Sequence, residues 1–180
     1  MSNPTEEIQK HLHEQAEHTH EPSTMKIALS SALIAVLAAG AALLSEHQSN
    51  EAMLDQLKAS DQWSYYQAKG IKSIVVQDEI ATLKAMGKSA DPKLDEQLKR
   101  YADEQKEISD KATELEQASL KHFSSHNVIS YANTFLEIAI GVSAISALLR
   151  RRWLWHTSII VAVLGLGFLS WGMHLMLLIK

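Results

Sequence analysis

Four histidines, His11, His13, His18 and His20, lie close together near the start of the chain, interleaved with Glu14, Glu17 and Glu21. Imidazole nitrogens and carboxylate oxygens are ligands suited to zinc, nickel or copper, so this stretch could hold a labile divalent metal. The competing reading is a solvated, partly helical polar tail, starting at Pro4 and interrupted at Pro22, whose histidines bind nothing. The segment from His13 to His18 resembles a zinc-protease helix but spaces its histidines one residue too far apart to share a face. A second pair, His122 and His126, does stand at i, i+4 and could chelate a metal, with Glu51 or Asp55 as further ligands if the chain folds back near residue 88. The alternative is a pair of hydrogen-bonding residues closing a helical seam.

Two other groups could do work. Glu137 is the one formally charged side chain inside any long apolar run, with Asn133 one helical turn earlier and Ser130 and Thr134 alongside. A carboxyl group in hydrocarbon is costly unless it faces protein or water. It should therefore join helices by hydrogen bonding or line a path for an ion or proton, and the fold-back sets it beside Ala38, Ala39 and Gly40. Trp63, Tyr65 and Tyr66 lie too far beyond the first apolar run to anchor in headgroups. They should form an interface with a partner or pack within the chain against residues 110–113.

The elements that position these residues follow from the hydropathy pattern. The formal net charge is -4 over 180 residues, and it is unevenly spread: residues 1–25 and 46–126 are acidic and polar, whereas the rest is apolar with basic flanks. No basic patch is large enough to follow a nucleic-acid backbone, so that partner is not expected. The chain has no Cys, which removes disulfides, thiolate catalysis and Cys-based metal centres. Residues 27–44, 128–149 and 153–179 are each apolar for about the 20 residues that cross a bilayer. A cleaved leader is the alternative for the first, but the tail before it is long and acidic instead of short and basic.

These features predict an all-α integral membrane protein of three transmembrane helices, with a long antiparallel, coiled-coil-like helical hairpin between the first two. Its segments are a His-rich tail (1–25), span one (26–45), the hairpin (46–126, turning near 87–92), span two (127–149), a basic loop (150–152) and span three (153–180). The cluster Arg150, Arg151, Arg152 in so short a loop should stay cytoplasmic, which puts the N-terminus inside and the hairpin and C-terminus outside. The breaker run from Gly87 to Pro92 divides two stretches of nearly equal length. In the second arm Leu94, Tyr101, Ile108, Leu115, His122 and Ile129 recur every seven residues, with Leu98, Gln105, Ala112, Ser119 and His126 between them. The first arm is less regular, and its apolar set, Leu54, Leu57, Ala68, Ile71, Val75 and Ile80, is expected to face that seam. Small-residue faces, Ala28 with Ala32, Ser31 with Ala35 and Ala39, and Ala139 with Ser143 and Ala147, should pack the spans.

The block Glu46-His47-Gln48-Ser49-Asn50-Glu51-Ala52-Met53, followed by the block from Ala59 to Lys69 (ASDQWSYYQAK), resembles a bacterial family of membrane proteins filed as a domain of unknown function. The resemblance covers most of the chain from about residue 25. It implies a bacterial inner-membrane protein and transfers no catalytic residue.

No phosphate-binding glycine loop, nucleophile elbow or zincin motif is present, so an enzyme is not expected, nor is a resident cofactor beyond a labile metal on the tail. The expected function is a membrane scaffold or interaction protein that self-associates in the lipid bilayer and meets a protein partner through its hairpin. The alternative is an oligomeric channel or a metal-responsive transport accessory using Glu137 on a polar face of span two.

Overall fold

The computed structural model describes residues 22–177, with side chains from Met25 onward. They form three α-helices: α1 (Pro22–Ala85), α2 (Pro92–Leu149) and α3 (Arg152–Leu177), and no strand is present among the described residues. All three are long and apolar enough over part of their length to cross a membrane. The described residues divide into two compact units.

One unit comprises the chain up to Glu46 together with His126–Leu175. Here α1 buries Ile27, Ile34, Ala38, Ala41 and Ser45, and α2 buries Ile129, Ala132, Leu136, Ala139, Ser143 and Ser146. The hydroxyls of Ser31 and Ser143 bond to each other across this contact, as do those of Ser45 and Ser130 at 2.7 Å. Such bonds satisfy hydroxyls that the apolar neighbours in this contact cannot. The small faces expected on α1 are not the packed ones: Ala28, Ala32, Ala35 and Ala39 are exposed, and Ser31 alone makes the cross-helix bond. α3 buries small residues, Ser158, Ala162, Gly165 and Gly172, and the two glycines lie against α2. A Cβ on Gly165 would sit 3.1 Å from the Ala132 carbonyl oxygen, and one on Gly172 would sit 2.5 Å from Ile129 Cγ1, so both glycines are required by close approach. Phe168 stacks on Phe135 at 5.4 Å, and Trp155 Nε1 donates to Ser30 Oγ at 3.1 Å, which ties α3 to α1.

Arg150, between α2 and α3, has φ of 50°, a left-handed conformation that disfavours a side chain. Ser146 Oγ donates to the Arg151 carbonyl at 3.0 Å and secures this turn.

The other unit contains His47–Ser125. Its turn follows from the breaker residues. Gly87 takes φ of 71°, its N–H donates to the Lys84 carbonyl and the N–H of Lys88 to that of Leu83, which closes α1 in a Schellman motif. Asp91 then caps α2 by accepting from the backbone N–H of Lys93 at 2.9 Å, with Pro92 at the first helical position. Contacts pair rising numbers on α1 with falling numbers on α2: the Ala52 carbonyl with Ser119 Oγ at 2.7 Å, Trp63 with Glu116, and Lys69 with Glu104.

On α2 the sevenfold repeat described above lies inward, with Ile108, Ala112 and Ser119 buried and Leu94, Leu98, Tyr101, Gln105, Leu115 and His122 half-buried. On α1 the expectation fails. Leu54, Leu57, Ala68, Ile71 and Val75 are exposed, and only Ile80 of that set is buried. The inward positions are instead Gln48, Ala52, Asp55, Ala59, Gln62, Tyr66, Lys69, Ser73, Val76, Ile80 and Leu83, an unbroken alternation of four- and three-residue steps. Small side chains explain the choice: Ala52, Ala59 and Ala112 are buried, and Ser119 Oγ reaches the Ala52 carbonyl oxygen itself at 2.7 Å, an approach that large side chains at these positions would prevent.

Candidate functional site

His122 and His126 are placed by the inward repeat of α2, but they serve different partners. His122 Nδ1 lies 2.8 Å from Gln48 Oε1, and its Nε2 is 3.9 Å from Asp55 Oδ2. His126 Nδ1 lies 2.8 Å from the Ser45 carbonyl oxygen and 3.0 Å from the Ser45 hydroxyl, so one serine holds this ring. The expected ligand Asp55 is thus near His122, whereas Glu51 makes no recorded contact with either ring. No group of three or more His, Asp or Glu able to hold a metal occurs among the described residues. His11, His13, His18 and His20 lie outside the described residues.

The aromatic trio is divided. Trp63 Nε1 donates to Glu116 Oε1 at 2.9 Å, and its ring meets Tyr66 edge-on at 5.6 Å; both side chains are half-buried against α2. Tyr65 is 51 % exposed and borders an open groove whose other walls are largely carboxylates, Glu104, Glu107, Asp110 and Glu114.

Lys69 was not singled out by its sequence context, yet it is the most densely engaged cation in this unit. Its ammonium pairs with the Glu104 carboxylate and lies 5.2 Å and 5.5 Å from the ring centres of Tyr65 and Tyr101. The hydrogen bond from Lys69, ahead of every other influence, holds Glu104 below its ordinary value of 4.5, and the same bond with Glu104 raises Lys69 above 10.5. The pair's contribution to stability is therefore complete between those values. It is lost as pH falls through the depressed value of Glu104, and again as pH rises through the elevated value of Lys69. Thermal melts of the full chain in detergent should be flat across neutral pH and decline below about pH 4.5, with a shallower acid decline in Glu104→Gln. An acid limb of equal depth in that variant would show that the pair is not responsible.

Glu137 does not sit beside Ala38, Ala39 and Gly40 on the packed side of α2. It is exposed, and its Oε1 accepts from Asn133 Nδ2 at 2.9 Å. The packed side is taken by Ala132, Leu136 and Ala139, and one residue beyond Leu136 turns the side chain about 100° away. Asn133 Oδ1 is buried with no hydrogen-bond partner, as is Ser158 Oγ on α3. The chain thus presents a carboxyl group outward, held by a half-buried asparagine, from a helix apolar enough to cross a membrane.

The family model described as Domain of unknown function (DUF4337) matches residues 23–175. The chain belongs to this family. The match takes in the whole of both exposed features, the Asn133–Glu137 pair and the apolar face of α1, so both lie within the family's domain. No curated protein and no solved structure matches the chain.

Proposed function

We propose that this member of the DUF4337 family is a non-enzymatic membrane scaffold whose copies associate side by side in a bacterial inner membrane, with an extramembrane antiparallel, coiled-coil-like hairpin as its interaction surface. The observation that carries this reading is the outward Glu137 carboxyl group on α2, held by Asn133. A carboxyl group facing hydrocarbon costs several kcal/mol, roughly 2.5–3.5 at mid-membrane on insertion scales, so a second protein surface over the pair is the stable arrangement. Polar side chains of this kind join helices in lipid.

The orientation places the N-terminus in the cytoplasm and the hairpin and C-terminus on the other side. Its support is the Arg150, Arg151, Arg152 turn. Arg150 occupies a left-handed position where Gly would be relaxed, so a basic residue stands there against the local backbone preference. Because the chain has no Cys, single cysteines report the topology directly. Ser89→Cys should react with an impermeant thiol reagent applied from outside, and Ser2→Cys should react only after the membrane is opened. Labelling with the opposite pattern would reverse the orientation.

A second reading rests on the same pair. If copies gather around Glu137 with water between them, its carboxyl group would line an ion or proton path, and the assembly would be a channel.

A further inference from the structure

The exposed apolar residues of α1 outside the proposed membrane segment are ordered. Leu54, Leu57, Ile71 and Val75 stand 48 %, 58 %, 63 % and 60 % open to solvent, and Ala68 is exposed as well. Each lies two residues after an inward position of the same helix: Ala52, Asp55, Tyr66, Lys69 and Ser73. Two residues turn a helix by about 200°, so these side chains line the back of α1, directly away from α2. With the polar Asp61 and Ser64 filling the gap between Leu57 and Ala68, these positions follow the four- and three-residue steps of a coiled-coil seam over roughly 30 Å of helix. A solvent-facing stripe of this kind calls for a covering helix.

We propose that the cover is the same stripe of a second copy, in a parallel, in-register pair of α1 helices. The proposal rests on the reading of the chain as an oriented membrane protein, since copies anchored in one bilayer can meet only in parallel. Three observations select a second copy. A covering helix must offer apolar residues at the same steps, and α1 itself does. The back of α2 does not, because Asp103, Lys106, Asp110 and Thr113 are exposed along it. The flanking positions also suit a parallel pair: Met53 would meet Lys58 of the other copy, Ser60 would meet Tyr65, Gln67 would meet Lys72 and Ile74 would meet Glu79, with no like charges opposed.

One residue opposes this pairing. Asp61 falls on the stripe between Leu57 and Ser64, and in register it would face its own copy. It therefore weakens the pair and supplies a test, since Asp61→Leu should tighten association.

Single cysteines in the full-length protein, oxidised mildly in native membranes, decide the matter. Leu57→Cys and Ile71→Cys lie on the seam and should yield roughly ten-fold more disulfide-linked dimer than the exposed controls Gln56→Cys and Gln77→Cys, because a disulfide needs Cβ atoms about 4 Å apart. Adding Asp61→Leu to Ile71→Cys should raise the yield further. Equal yields at all four sites, dimer at the controls alone, a mixed disulfide with a protein of different mass, or a lower yield with Asp61→Leu would overturn the proposal. The mass of the detergent-extracted parent separates the two ways of failing. An oligomer without cross-links at Leu57→Cys and Ile71→Cys overturns the α1 pairing and leaves the scaffold reading standing, whereas a strict monomer overturns both.

Discussion

Ile108→Asp should open the hairpin unit while leaving the apolar helices folded. Ile108 is 7 % exposed at the centre of the inward repeat of α2, next to Ala112 and opposite the close approach at Ala59. The substitution removes a buried aliphatic side chain and sets a carboxylate beside a groove walled largely by other carboxylates, so it should cost about 3–5 kcal/mol. That is comparable to the whole stability of a thin two-helix contact. Hydrogen exchange on the full chain in detergent would show amides of residues 47–125 losing protection together, while those of 128–149 and 153–177 keep theirs. The exposed Lys99→Ala should change protection by no more than about 0.5 kcal/mol. Comparable protection in both variants would mean that Ile108 does not hold the helices together.

Glu137→Leu should release the copies from one another. The parent monomer is disfavoured in lipid by its outward carboxyl group, and the leucine variant is not. An exposure cost of about 2.5–3.5 kcal/mol corresponds to a shift of roughly a hundred-fold or more toward monomer. Glu137→Gln keeps the shape and a hydrogen-bonding amide, so it should retain assembly. Under the channel reading the Gln variant would assemble and lose flux, which a liposome assay measures. If both variants assemble and behave like the parent, Glu137 has neither role.

The sequence revealed the helices and their ends because the signals there are local and chemical. Gly87, Asp91 and Pro92 dictate a stop and a start whatever surrounds them, and the apolar runs are about as long as a helix needs to cross a bilayer. The inward face of α2 was legible for the same reason, since Ile108 and Leu115 are both large and inward. The inward face of α1 was not. Ala52, Asp55, Ala59, Gln62 and Lys69 carry little hydrophobic signal, while Leu57, Ile71 and Val75 carry a strong one on the opposite side. Hydropathy identifies which residues would gain from burial, but small side chains, Ala52, Ala59 and Ala112, occupy the buried positions here.

The candidate sites divide in the same way. The i, i+4 spacing of His122 and His126 placed both on one face, but rotation about the helix axis, which spacing alone leaves open, delivered them to Gln48 and Ser45. Fold-back arithmetic set Glu137 at the height of Ala38 but could not say which way it turned, and the structure turns it outward. The bond to Asn133 was visible in advance because it needs only one turn of a single helix. Lys69 escaped notice because its partners, Glu104 and Tyr101, are brought to it by the pairing of two helices.

Association in the membrane is the claim on which the rest depends, and the molecular mass of the full-length protein in lipid nanodiscs tests it most directly. The mass should correspond to two or more copies per disc at excess lipid, falling to one for Glu137→Leu. A single copy of the parent in every disc would contradict the account.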